Sequence, residues 1–301
     1  MSFVLDFSGR LDEAIRRAVH VELTRAVANL TLPPDRLHEG VHEARKSFKR
    51  LRAFYRLVAA ADPQAAKREI DRFRNVAASL AQARDAAALV EAFDRLESAF
   101  PDEASTGILT PVRDFLIHRR TVTTHAASGV DAHVAAAVES CRAAYAAIDA
   151  FPLPAKQARV EKLLASGAAS AVRKARSALK QARADGAAAA FHTLRKRVKD
   201  HLYHLGLLRF VWADQTRRAA IDALGERLGD LNDCDVLAAA LRREAPALVA
   251  GPAGERALEL IERQAEALRA ATLAEAKRLL RKRPGAMRKA LRRRLRRARE
   301  R

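Results

Sequence analysis

The chain reads as an all-α protein, and three observations carry that reading: a helix-favouring composition, long periodic segments bounded by prolines and glycines, and a charged motif that recurs far along the chain. Alanine, leucine, arginine and glutamate dominate the 301 residues, and the aromatic residues that favour strands make up only 5%. The dominant types lose little rotamer freedom in a helix. With 49% hydrophobic residues there is enough apolar surface for a core despite 31% charged residues, so a folded chain is expected rather than a disordered one.

Breakers at Pro33-Pro34, Pro101, the Gly129 region, Phe151-Pro152-Leu153-Pro154, Gly186 and Gly251-Pro252 with Gly254 divide the sequence. Between them helices are expected at about 10–30, 37–60, 63–99, 104–127, 131–150, 155–184, 188–212, 215–244 and 254–282. Residues 42–49 read HEARKSFK, and 150 positions later residues 192–199 read HTLRKRVK, with His, Arg, Lys and Lys at the same offsets. A second echo, LAQARDAAAL at 80–89 against LGDLNDCDVL at 228–237, sets Asp85 opposite Asp233. The repeat predicts two pseudo-symmetric halves, about 1–150 and 151–283, each an antiparallel bundle of about four or five helices joined at Pro152 and Pro154.

At 100° per residue, Arg45, Lys46 and Lys49 fall within about 60° of His42, and Arg52 and Arg56 extend the stripe. Ala44, Phe48, Leu51, Tyr55 and Val58 occupy the opposite side. In the second copy His192, Arg195, Lys196 and Lys199 share a face that Tyr203 continues, backed by Leu194, Val198, His201, Leu205 and Leu208. Like charges stacked along a helix cost a few tenths of a kcal/mol per i,i+4 pair. A sequence that does this twice at matched positions calls for an anion. Guanidinium forks take two phosphate oxygens, ammonium supplies point charge, and histidine adds a donor that charges near neutral pH.

The net charge of +20 and an isoelectric point near 10.9 predict association with a polyanion: nucleic acid, a phosphate polymer or an anionic surface. Two cysteines far apart, Cys141 and Cys234, fit two reduced thiols better than a structural disulfide. The start, MSFVLDFSGR, has no basic region followed by an apolar one, and no apolar run is long enough to span a bilayer, so a cytoplasmic location without membrane insertion is expected.

The elements H-x-x-R-K-x-Φ-K-R-L-R at 42–52, Arg84-Asp85 and the second copy resemble the CHAD family, the conserved histidine α-helical domain, over about residues 5–283. The resemblance implies helical bundles around a basic groove or pore that binds inorganic polyphosphate, in relatives found on polyphosphate granules, with no established catalysis and no cofactor. It places basic binding positions at His42, Arg45, Lys46, Lys49, Arg50 and Arg52, and at His192, Arg195, Lys196 and Lys199. Two departures weaken the second copy: its basic pair after the lysine is Asp200 and Leu202, and the Arg-Asp pair becomes Asn232-Asp233. Asp85 and Asp233 read as intramolecular partners of basic side chains, with magnesium bridging to phosphate as the alternative.

Residues 281–301 carry twelve Lys or Arg against Glu300 alone. Residues 284–301 are therefore expected to be a solvated tail that orders only on a polyanion. That tail and the isoelectric point support an alternative reading, a general RNA- or DNA-binding protein, although few aromatics are present to stack bases. His201 and His204 are not joined by Cys or carboxylates at metal-site spacing, and His201 is expected to be a satisfied core histidine. No P-loop, dinucleotide-binding or nucleophile-elbow motif is present, nor a clustered acidic set of the kind that phosphate-polymer hydrolysis uses to hold metal.

Overall fold

The computed structural model describes residues 3–7, 9–80, 82–125, 130–212 and 214–300, the side chains of 82–86, 124, 125 and 130 apart. These residues form helices and no strand. The first part runs α1 (Leu11–Leu30), α2 (Leu37–Val58), α3 (Pro63–Ser79), α4 (Gln82–Ala99), α5 (Pro101–Ser105), α6 (Thr110–His125) and α7 (Val130–Asp149). The second runs α8 (Gln157–Asp185), α9 (Ala188–Leu207), α10 (Gln215–Glu244), α11 (Pro246–Val249), α12 (Pro252–Leu279) and α13 (Pro284–Arg299).

Local chemistry explains many of the ends. Asp62 caps α3, accepting from the amides of Gln64 at 3.0 Å and Ala65 at 2.9 Å, with Pro63 in the first turn. Asp214 caps α10 through the amide of Arg217 at 2.9 Å. Gly186 ends α8 with φ of 70°, a left-handed conformation that a Cβ disfavours. Gly107, with φ of 75°, likewise separates α5 from α6, where the sequence suggests one helix.

The expected single helix over 63–99 is instead two. α3 stops at Ser79, whose hydroxyl donates back to the carbonyl of Val76 at 3.0 Å. The Arg45 guanidinium donates to the carbonyl of Ala77 at 3.0 Å. Last-turn carbonyls lack helical partners, and here a side chain from α2 supplies one.

Packing partners recur along the chain. α1 packs on α2 and α7, as α8 packs on α9 and α13; α2 packs on α3, as α9 packs on α10; α4 packs on α6, as α10 packs on α12. The matched helices also meet each other, α2 on α9 and α4 on α10. Both hydrophobic clusters consequently draw on both halves. The larger takes α1–α3, α7–α10, α12 and α13, and the smaller takes α4, α6, α10 and α12. Gly167 of α8 marks the tightest crossing: a Cβ there would stand 1.8 Å from the carbonyl oxygen of Leu57 on α2.

The basic tail expectation does not describe residues 284–299. They form α13, and Met287, Leu291 and Leu295 are buried against α8 in the larger cluster. Burying an aliphatic side chain is worth roughly 1.5–3 kcal/mol, while each like-charged i,i+4 pair costs a few tenths. Three such anchors outweigh the repulsion. Arg299 also reaches the buried carboxylate of Glu161 on α8 at 3.5 Å.

His201 lies in the core as expected, but neither ring nitrogen has a hydrogen-bond partner. It stacks edge-on against Trp212. Burial, then its neighbours His204 and Arg217, push its pKa down to about 3, so the ring is neutral and held by packing.

Candidate functional site: a basin between two basic helices

The predicted stripes lie on α2 and α9, which pack together and both rest on α8. Their apolar sides are buried as the periodicity requires: Ala44, Phe48, Leu51, Tyr55 and Val58 on one, Leu194, Val198, His201 and Leu205 on the other, with Leu208 just past its end. Each helix thus turns its cations the other way.

Lys49 stands where the two stripes meet. It is open to solvent, yet protein surrounds it closely. Dehydration, followed by the charges of Arg195, Arg45, Lys199 and Arg52, lowers its ammonium from 10.5 to about 8. A lysine shifts this way when water is displaced and cations crowd it. Two of those four cations come from α9. Burial and then Arg56 also lower the guanidinium pKa of Arg52, and burial raises the phenol of Tyr203 against the opposing charges of Arg50 and Arg195.

α10 forms a third wall. Its Gly225 and Gly229 let basic side chains lie across the helix: a Cβ at Gly225 would meet the Lys199 stem at 3.0 Å, and one at Gly229 the Arg195 guanidinium at 3.6 Å. Glu226 accepts from Lys199 at 2.6 Å. That hydrogen bond first, then the charges of Lys199, Arg195 and Lys46, hold its carboxyl below the usual range. The sequence reading missed these three residues; mid-helix glycines four apart, facing a basic helix, were the available signal.

The remaining expected residues divide by their partners. Lys46 pairs with Glu43 at 2.7 Å, and His42 lies 3.8 Å from the same carboxylate. Arg45 is held by the end of α3, as above. Arg50 points to α1, where it shares the buried Glu22 with Arg25 at 2.7 and 3.0 Å. Arg56 pairs with Asp200 at 2.8 Å, and Arg197 reaches the other oxygen of that carboxylate at 3.3 Å. Lys199 contacts Asp222 at 3.6 Å in addition to Glu226. Lys49, Arg52, Arg195 and Lys196 have no carboxylate partner among the described residues, and the Nε atoms of Arg52 and Arg195 are buried without an acceptor.

Asn232 bonds Nδ1 of His192 at 2.6 Å, which fixes the ring. Asp233 holds Arg95 of α4 at 2.6 Å, with Asp230 at 3.5 Å from the same group. The matching pair Arg84 and Asp85 lies outside the described side chains. Cys141 and Cys234 are free thiols, pushed up by burial to about 12 and about 11. Among the described residues no three His, Cys, Asp or Glu are grouped to hold a metal ion, and no helix is long and apolar enough to cross a membrane.

Residues 18–242 match the family model of the CHAD domain. The chain belongs to the CHAD domain family. A crystal structure of the CHAD domain from the plant Ricinus communis shares the fold, with a TM-score of 0.63 over 93% of this chain and 95% of that one at 21% identity. No curated protein matches the chain. The CHAD model stops within α10, but the structural likeness covers more of the chain than that, so helices beyond α10 belong to the CHAD fold as well.

Proposed function

We propose that this CHAD domain binds inorganic polyphosphate without catalysis, in the basin between α2, α9 and α10. The observation that carries the proposal is the gathering of Arg45, Arg52, Arg195 and Lys199, from two helices, around Lys49. Two helices that spend stability to crowd cations recover it when a polyanion arrives. A chain of linked phosphates suits this site because it offers repeated charge with no bases to stack, and the three walls supply no aromatic platform beyond Tyr203. Cytoplasmic polyphosphate granules are the setting that fits such a binder.

The test is polyphosphate binding by the double variant Lys49→Ala and Arg195→Ala, with helicity followed by circular dichroism. Each charge-assisted contact is worth about 1–3 kcal/mol, so affinity should fall by roughly thirtyfold or more while the fold persists. Long chains should bind more tightly than orthophosphate, with log affinity falling against log salt by about 0.7 per phosphate contact. Equal binding of orthophosphate and long chains at matched ionic strength overturns the proposal. Nucleic acid that displaces polyphosphate at comparable phosphate concentration favours the alternative, a general RNA or DNA binder.

A further inference from the structure

A second basic concavity lies away from the basin, where α8 meets the end of α12. Its cavity, about 440 Å³, is lined by Arg176, Lys180 and Arg183 of α8 and by Lys277 and Arg281. No carboxylate lines it, and the floor is Leu179 and Leu280, both buried. The α8 cations recur at four and three residues and so lie on one face, while Lys277 stands in the last turn of α12 and Arg281 just past its end.

Arg176 is already occupied. It donates to the carbonyls of Leu280, Arg281 and Lys282 at 3.3, 2.9 and 3.2 Å, which fixes the joint between α12 and α13. Lys180, Arg183, Lys277 and Arg281 are exposed and have no carboxylate partner among the described residues. Some half-buried arginines elsewhere are neutralised, as Arg113 is by Glu97 and Asp94 and Arg256 by Glu103 and Glu259. A neighbouring cavity of about 360 Å³ at the same joint adds Arg217, Lys282, Arg283 and Arg294, with Asp214 as its one carboxylate. Concave surfaces lined by one sign of charge over a low-dielectric floor focus the field on an incoming counter-ion.

We infer that the cavity between α8 and the end of α12 is a second phosphate-binding site, which takes a short run of linked phosphates independently of the basin. None of its residues is shared with α2, α9 or α10, so it stands whether or not the basin binds. Two such sites on one folded chain let it hold two polymer strands, or two stretches of one strand, with the second contact made at high effective concentration.

Titration calorimetry of the full chain with tripolyphosphate, at fixed ionic strength, tests this. The wild type should show two sites. K180Q/R183Q/K277Q/R281Q should show one, with the remaining affinity unchanged to within about twofold, as expected for separate sites. K49A/R195A should lose the other site and keep this one. The four changed residues are exposed, and circular dichroism reports the fold; if the quadruple variant unfolds, K180Q/K277Q replaces it. Two sites in a folded quadruple variant overturn the inference, as does a single wild-type site that K49A/R195A abolishes. Loss of no site in K49A/R195A overturns the basin reading alone. Single-stranded DNA of matched charge that binds here while tripolyphosphate does not also overturns the inference.

Discussion

The two copies of the basic helix share their positions but not their charge balance. On α2, Lys49 and Arg52 face the basin without a carboxylate. On α9, Lys199 is tied to Glu226 and Asp222, and Asp200 takes up Arg56 and Arg197. Only Arg195 and Lys196 keep α9 cationic in effect. Each helix keeps two cations clear of carboxylates, but at different matched positions: Lys49 is bare where Lys199 is tied to Glu226, and Lys196 is bare where Lys46 is tied to Glu43.

The largest effect that could break this comparison is a contrast of single variants. Lys49→Ala should weaken polyphosphate binding by about tenfold, and Lys199→Ala by only about two- to threefold, since an exposed pair already screens Lys199. Equal losses in a fluorescence titration would mean that Glu226 and Asp222 release Lys199 at no cost.

Next is the pH response. Lys49 titrates near 8 in the free protein instead of at 10.5, and a bound polyanion restores its proton. Affinity should therefore fall as pH rises through about 8, and binding near that pH should take up a proton, seen as a dependence of calorimetric heat on buffer ionisation enthalpy. The sign for stability follows from the same shift. Between about 8 and 10.5 the unfolded chain holds more protons at this position, so the free protein gains stability as pH rises across that window. Lys49→Gln should remove that gain from the melting-temperature profile. His201 acts at the other end: with a folded pKa of about 3 against 6.5, its contribution is complete above pH 6.5 and is lost as pH falls toward 3.

Smaller effects come from α10. Glu226→Gln frees Lys199 and should tighten binding by about two- to threefold, with a steeper salt dependence. Gly225→Ala places a methyl against the flexible Lys199 stem, which can shift; a change within about twofold is expected in affinity, with little in thermal stability. A collapse of binding would show that the lysine's path across α10 is rigidly set.

The stripes were legible because a helix with one buried side declares its free side, and because His, Arg and Lys recur at matching offsets on α2 and α9. Helix ends marked by Pro63, Gly186 or the Gly251-Pro252 pair were legible for the same local reasons. The break after Ser79 was not, since the partner of its last-turn carbonyl at Ala77 is Arg45 from another helix. α13 was misjudged because its charge is conspicuous while its anchors, Met287, Leu291 and Leu295, are only three residues. Glu226, Asp222 and Arg95 entered the site through tertiary packing, which no local pattern records, and Arg50 left it for Glu22 on α1 in the same way.

Because each hydrophobic cluster is assembled from both halves, neither half holds a complete core. A chain with only residues 1–150 would leave bare the sides of α2 and α4 that now meet α9 and α10. The link between the parts is thus a matter of covalent connection more than of separate cores, and a split protein expressed as two fragments, 1–150 and 151–301, should reassemble.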